Sequence, residues 1–517
     1  MAELTSFSPI TMKEVGKVTI TEPCDVCKAV EKSRNAQKQW AMIPKTEKKE
    51  FLKKLRLVLV ENAEDIAKTV HSETGKPKAD AFNTEVLASA AMTRECENWV
   101  VDFQYVRKIH QGSAKLLASF LKRTSYVEYR PLGVVAVISP YNFPFSIPFT
   151  EVVTAVAAGN GVVLKPSSDT PLSGHLIETM FKKAGFPDGL VTAVSGPGVG
   201  HALASADVNK IVFTGGTSTG KEIMKTAAEN LTPIILELGG KDAMIVLDDA
   251  DMERTVSGAV WGSFVNSGQV CVGIKRIYVH ESIFDQFVEL YVSSVKALKQ
   301  GDGWNDPDVS VGPMINECEL NRMSEICDRI VNDGGEILTG GKKTPGLEGC
   351  FFEPTVVVGL PHSSSVVSEE IFGPIVTLFR FKTEDEAVEM ACSTEYALGG
   401  SVWSGDVAKG RRIASRLDSG TINVNNTSYT FGLPATPWSG RKKSGFGVTH
   451  GIRGFEDMMF AYHIHVDEAK YRRDPWWMPY SGEKTELQSE MLDSFYGSGK
   501  GKMKTAKKIM RTIKEKK

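Results

Sequence analysis

Apolar positions recur at helical spacing through the first hundred residues. After Asp25, a residue type suited to an N-cap, Val26, Ala29, Val30, Ala36 and Trp40 alternate with lysines and glutamates, which predicts an amphipathic helix. Residues 51–70 and 79–103 continue the pattern, and Thr74-Gly75-Lys76-Pro77 marks a turn between them. Beyond Tyr126 the period changes. Residues 127–129, 133–138 and 161–165 are short β-branched runs between Pro- and Gly-rich turns, the signature of strands. Residues 172–183, 190–194, 198–204, 210–213, 220–229 and 234–236 then alternate helix and strand, the βαβ rhythm of a parallel sheet. A second cycle runs from 243 through 261, then 276–279, 284–299, 323–333, 355–358, 375–380 and 384–391, so two α/β units in series are expected. No fixed-period repeat is present.

Composition narrows the class. The chain has 517 residues, with 61 basic against 63 acidic side chains, so there is no excess of positive charge to hold a nucleic-acid backbone. With 24% charged and 42% hydrophobic residues it reads as a soluble folded protein. No run of 18 apolar residues occurs, and the richest stretch, 131–164, is broken by prolines, Asn142, Glu151 and Asn160. Eight dispersed cysteines form no disulfide framework, and residues 1–25 carry no secretory pattern, so a reducing, cytoplasmic location is expected. Cys24-x-x-Cys27 lacks the further ligands a structural zinc needs, and no metal is assigned. The end differs: residues 472–480 are basic, aromatic and proline-bracketed, and residues 500–517 hold eight lysines and one arginine against Glu515 alone.

Four segments carry candidate chemistry. Residues 210–221 read as a strand entering Gly215-Gly216-Thr217-Ser218-Thr219-Gly220 and then a helix beginning near Gly220; glycines admit a pyrophosphate and a helix N-terminus offers free N–H groups. Gly215, Gly220 and Lys221 also approach a nucleotidase phosphate loop, but Glu222 stands where a magnesium-binding Ser or Thr is required. A tight strand-to-helix turn explains the same residues without any ligand. Cys271, in Asn266-Ser267-Gly268-Gln269-Val270-Cys271, is either an exposed nucleophile or a small buried hydrophobe, and spacing does not settle which. Glu237 ends a β-rich run before Gly239-Gly240-Lys241, as a base or a loop cap. Ser139-Pro140-Tyr141-Asn142-Phe143-Pro144 is a stiff turn able to hold an amide toward an oxyanion, though an Asn in a turn often bonds its own backbone.

Together, Asn142, Lys165-Pro166, Gly215-x-Thr217-x-x-Gly220, Glu237-Leu-Gly-Gly-Lys241, Gly268-Gln-x-Cys271, Glu370-x-Phe372-Gly-Pro374 and Lys442-x-Ser-Gly445 occur in an order and spacing that resembles the aldehyde dehydrogenase superfamily over residues 20–460. The resemblance implies an α/β fold with a Rossmann-like cofactor domain (1–111 and 132–239), a catalytic α/β domain (240–445) and a small β oligomerisation arm (112–131 and 446–470), leaving 471–517 as an extension. It implies that Cys271 attacks an aldehyde, that Asn142 and the Cys271 N–H hold the oxyanion, and that Glu237 activates water. It assigns NAD or NADP to Lys165, Ser168, Gly215, Gly216, Gly220, Leu238, Glu370 and Phe372. Relatives that prefer NAD commonly carry a Glu three residues after that lysine; Ser168 stands here, so NADP is expected to be accepted or preferred.

An arginine eight residues past the asparagine is frequent where a semialdehyde carboxylate is bound; here it is Thr150, and residues 425–437 hold no Lys or Arg. With pocket candidates Tyr141, Phe145, Ile147, Tyr429, Phe431 and Trp438, an uncharged apolar or aromatic aldehyde is favoured over succinate semialdehyde. Two further alternatives are a CoA-acylating enzyme, disfavoured by Glu237, and a silent protein that keeps the fold, disfavoured by Cys271 with Glu237. Homodimers or homotetramers are implied. Met503, Ala506, Met510 and Ile513 form one helical stripe among lysines, which with Trp476-Trp477 suggests a peripheral membrane contact against the plainer reading of a solvated tail.

Overall fold

The computed structural model describes residues 2–109, 122–468, 474, 476–497 and 499–514. The chain divides into two units, residues 1–102 with 131–458, and residues 103–130 with 459–517.

The first unit contains two large sheets. One has six strands in the order Gly445–Phe446, Ile234–Glu237, Lys210–Thr214, Val134–Ile138, Gly161–Lys165, Val191–Ala193. All neighbours are parallel except Gly445–Phe446 against Ile234–Glu237. Val134–Ile138 is wholly buried, as the unbroken Val-Val-Ala-Val-Ile run requires of a strand covered on both faces. Successive connections leave this strand in opposite directions, toward Gly161–Lys165 and toward Lys210–Thr214. That creates a switch point, and crevices of such sheets open at the carboxyl ends beside it.

The second sheet has seven strands, Glu336–Thr339, Thr355–Val358, Ile375–Phe381, Ile274–His280, Asp242–Val246, Gly400–Trp403 and Asn423–Val424. Its central strands pair in parallel, and apolar clusters built on Tyr278 and Ile245, and on Ile277 and Met244, bury its two faces. The expected α/β architecture with two sheets in series is present.

Local differences have physical reasons. Residues 51–70 are two helices, Lys45–Glu61 and Ala63–Thr74, because the chain breaks at Asn62, whose side-chain amide bonds the Val58 carbonyl at 2.7 Å. An antiparallel pair, Glu3–Phe7 with Glu14–Thr19, precedes the helices; its short polar strands carry no clear alternation. Residues 78–102 are continuously helical, as expected, but Phe82–Leu87 is a π-helical turn between Lys78–Ala81 and Ala88–Asp102.

The second unit has a three-stranded sheet in the order Met459–Asp467, Arg123–Pro131, Val106–Ile109, followed by helices Gly482–Tyr496 and Lys502–Lys514. Arg123 pairs with Asp467 and Asp474 and lies over the Trp476 ring at 4.7 Å. Of the expected arm, residues 112–121 and 469–470 lie outside the described residues. The two helices share a small core of Leu487, Phe495 and Ile509. The expected apolar stripe is thereby corrected: Ala506 is 1% exposed, turned inward, while Met503 is 54% exposed. The side chains of Met510 and Ile513 lie outside the described ones.

Candidate active site

The carboxyl ends of four strands in the first sheet converge on one cleft of about 510 Å³, supplying Ile138, Lys165, Thr214 and Glu237. The turn after Ile138 contributes Tyr141 and Asn142, and Cys271 and Glu370 reach the same cleft from the second half. Cys271 precedes Ile274–His280 by three residues, so the amino end of that strand carries the thiol.

The loop bearing Cys271 is heavily tied. Asn266 and Ser267 take left-handed backbone angles (φ 52° and 57°), costly for residues with a side chain. Gln269 compensates by donating to the Asn266 and Pro313 carbonyls at 3.2 Å and accepting from Ile315 N–H at 2.9 Å. Lys275 donates to the Gly268 and Gly373 carbonyls at 2.7 Å, and burial lowers its ammonium to about 7. A side chain at Gly240 would strike the Cys271 carbonyl oxygen, so the Cys271 backbone lies directly on the glycine turn. Burial, and then the carboxyls of Asp242, Glu237 and Glu370, push the Cys271 thiol well up, so it rests protonated.

Asn142 donates one amide hydrogen to the Gln269 carbonyl at 3.0 Å; its amide carries a second. Glu237 accepts from Trp438 Nε1 at 3.1 Å with one oxygen, and the other is buried without a protein partner. Burial, then Glu151, raise its carboxyl well above the ordinary range. Glu151 lies behind it: one oxygen accepts from Thr214 at 2.9 Å, the other is also buried without a protein partner, and burial raises this carboxyl to about 8. Both line a small inner cavity with Cys271, Thr150, Phe431 and His450, whose ring burial holds near 4, hence neutral.

The outer cleft has a different chemistry. The helix Thr217–Glu229 starts three residues before the expected Gly220, with Gly216 as an N-cap that offers no side-chain bond. A Cβ at Gly216 would meet open space, whereas at Gly215 it would meet Phe213 at 2.7 Å and at Gly220 it would meet Leu238 at 2.5 Å. An uncapped helix N-terminus on an open glycine turn fits a dinucleotide pyrophosphate. Lys165 lines the cleft, its ammonium lowered by burial and partly restored by Asp169. Ser167 lines it too, while Ser168 is the exposed residue beside it. Glu370 accepts from Gly240 N–H at 3.1 Å, and Phe372 meets Tyr141 edge-on at 5.9 Å. Leu238, Gly215, Gly216, Glu370 and Phe372 all line this cleft.

Among the apolar candidates, Ile147, Phe431 and Trp438 line the inner cavity and Tyr141 the outer cleft. Phe145 is buried and stacked on Phe149 at 5.4 Å, away from the lining, and Phe143 packs with Cys271 instead. Tyr429 is exposed. Sequence reasoning missed Glu151, His201, Glu319, Arg322 and His450 as lining groups; a lone charged residue, Glu151, inside the run 145–157 was the available signal. Among the described residues no group of three or more His, Cys, Asp or Glu is placed to hold a metal.

A doubly wound sheet joined to a thiol-bearing α/β sheet across one cleft defines a class of nucleotide-dependent oxidoreductases. The Aldehyde dehydrogenase family model matches residues 2–464, and the chain belongs to that family. A 4,4'-diapolycopene aldehyde oxidase of Methylomonas sp is 33% identical over 500 residues, 96% of this chain and 92% of the relative. A protein of Mycobacterium ulcerans named as a candidate NADP(+) succinate-semialdehyde dehydrogenase is 35% identical over 461 residues, 87% of this chain and 85% of its own. The crystal structure of PnpE from Pseudomonas sp. WBC-3 superposes with a TM-score of 0.86 at 33% identity, covering 92% of this chain and 96% of that one; a PnpE complex with nicotinamide adenine dinucleotide gives the same score. Aldehyde oxidation with NAD or NADP is the activity class of this enzyme.

Proposed function

We propose that the enzyme oxidises an uncharged apolar or aromatic aldehyde to its carboxylic acid through a thioester on Cys271. The carrying observation is that Cys271, Asn142 and Glu237 line the same cleft as the open Gly215-Gly216 turn. Ionised Glu237 takes the Cys271 thiol proton and passes it to water, and the resulting thiolate adds to the aldehyde carbon. The resulting oxyanion takes the second Asn142 N–H and the Cys271 backbone N–H, donors each worth about 3–4 kcal/mol of barrier. Nicotinamide, when bound, supplies an acceptor for the hydride leaving the sulfur-bound carbon. Glu237 then takes a proton from water, the hydroxide adds to the thioester carbonyl, the C–S bond breaks, and acid and thiolate separate. Lys165, Ser168 and the helix N-terminus behind Gly215, Gly216 and Gly220 would bind the nucleotide, with Leu238, Glu370 and Phe372 at the nicotinamide end.

The substrate class follows from what surrounds the sulfur: Val270, Val272, Leu398, Trp438, Phe143 and Phe431 cluster with it. The inner cavity presents Glu151 and Glu237 and no Lys or Arg, so a carboxylate tail has no charge partner there. The relative named for a diapolycopene aldehyde also aligns over more of the chain than the one named for succinate semialdehyde. NADP acceptance is supported by Ser168, which places no carboxylate against a 2′-phosphate. Absorbance at 340 nm with apolar aldehydes, succinate semialdehyde, NAD, NADP and CoA tests the reading; a strict CoA requirement, or turnover of succinate semialdehyde alone, overturns it.

A homodimer or homotetramer is proposed from the family, and light scattering decides the count. Membrane contact through the C-terminal extension keeps one supporting observation: Trp477, Met478 and Tyr480 are 54%, 71% and 64% exposed beside a lysine-rich helix. No described helix is long and apolar enough to cross a membrane. Binding to anionic liposomes that survives deletion of residues 476–517 removes this contact.

A further inference from the structure

The turn that carries Asn142 cannot hold itself. Pro140 and Pro144 supply no N–H, and the helix Ser146–Ala157 that follows has no side-chain cap of its own. Its polar groups are satisfied from behind by a lysine and a glutamate of the N-terminal helical region. Lys76 and Glu85 form an ion pair with both side chains fully buried. Lys76 Nζ donates to the Asn142 carbonyl at 3.0 Å and lies over the Phe143 ring at 4.1 Å. Glu85 Oε2 accepts from the N–H groups of Phe145 at 3.2 Å and Ser146 at 2.7 Å, capping the following helix from outside it. The Asn142 carbonyl also accepts from Asn266 Nδ2 at 2.9 Å, so the lysine, the turn and the thiol loop meet at one oxygen.

Glu85 reaches this position from the π-helical turn Phe82–Leu87. Such turns shift the register of a helix locally and recur at functional sites. A buried ion pair is a poor source of stability, because desolvation offsets most of its attraction. What this pair does supply is geometry: a cation on the carbonyl at one end of the turn and an anion on the amides at the other.

We propose that Lys76 and Glu85 are positioning residues for the oxyanion pocket, holding the Asn142–Ser146 turn so that the Asn142 amide keeps its place beside the Cys271 sulfur. This rests on the reading of Asn142 as an oxyanion donor. Neither residue touches substrate. Their removal therefore lets the amide wander and raises the barrier of the step in which the oxyanion forms.

The test uses Lys76→Met, Glu85→Gln, the charge-balanced double variant and Lys76→Arg, with Asn142→Ala as reference. Lys76→Met and the double variant are expected to lose 10- to 100-fold in kcat, with aldehyde KM and the dissociation constant for NADPH within twofold of wild type. Cofactor-free acylation of Cys271 by p-nitrophenyl acetate should fall in parallel, and Lys76→Arg should recover most of the loss. Should Lys76→Met fail to fold, the double variant and Glu85→Gln carry the same comparison. Folded variants with wild-type kcat, set beside an Asn142→Ala enzyme that has lost 100-fold or more, overturn the positioning role. An Asn142→Ala enzyme with undiminished kcat overturns the oxyanion reading instead.

Discussion

The inner and outer ends of the cleft are built on opposite terms. At the inner end, Glu237 and Glu151 each keep a buried oxygen without a protein partner, among Trp438, Phe431 and a neutral His450. At the outer end, Gly216, Ser167 and Lys165 present an open backbone turn, a hydroxyl and an ammonium. Burial at the inner end raises carboxyls and thiol alike, which favours their neutral forms. At the outer end burial lowers the Lys165 ammonium and Asp169 partly restores it. The two sets of groups occupy adjoining spaces that share Cys271 and Glu237.

That contrast can be broken most severely at the sulfur. Cys271→Ala is expected to lower kcat by at least about 10⁴-fold, while cofactor binding, measured by NADPH fluorescence, stays within twofold; an equal loss of binding would join the two ends. Asn142→Ala comes next, at about 10²–10³-fold in kcat, measured by steady-state turnover on a saturating aldehyde.

The carboxyl pair sharpens the comparison through pH. A base works only when ionised, and Glu237 is raised, so the ascending limb of kcat should lie above the ordinary carboxylate range. Glu151 is among the causes of that rise. Glu151→Gln should therefore move the ascending limb to lower pH, and a limb that stays in place shows that burial alone sets it. The smallest effect belongs to the outer end. Ser168→Glu should reduce kcat/KM for NADP about tenfold, near 1.4 kcal/mol, and improve NAD. Equal kcat/KM for NAD in both proteins, with NADP unused by either, refutes the role of Ser168.

The two ends were also unequally legible in the sequence. The outer end is written in local patterns: Gly215-x-Thr217-x-x-Gly220 after a β-branched run announces a strand-to-helix turn, and the structure differs only in starting the helix at Thr217. Strand Gly161–Lys165 matches its expected bounds because four successive buried residues leave little register freedom. The inner end is assembled from distant segments. Glu151 sits on a helix that is buried throughout, and its meaning depends on Thr214 and Glu237, which no spacing rule links to it. Lys76 reads as part of a turn between helices until the fold brings it 3.0 Å from the Asn142 carbonyl. In the extension, the stripe through Ala506 looked like a free apolar face because the partner helix Gly482–Tyr496 has little periodicity of its own.

The glycine at position 240 has a consequence for how this enzyme can change over generations. With the Cys271 carbonyl oxygen where a methyl group would go, and backbone rather than a yielding side chain in the way, that codon cannot drift even to alanine without displacing the sulfur. Adaptation to new aldehydes is thereby channelled into the aromatic wall around Phe431, where side chains can trade size while the reacting atom stays put.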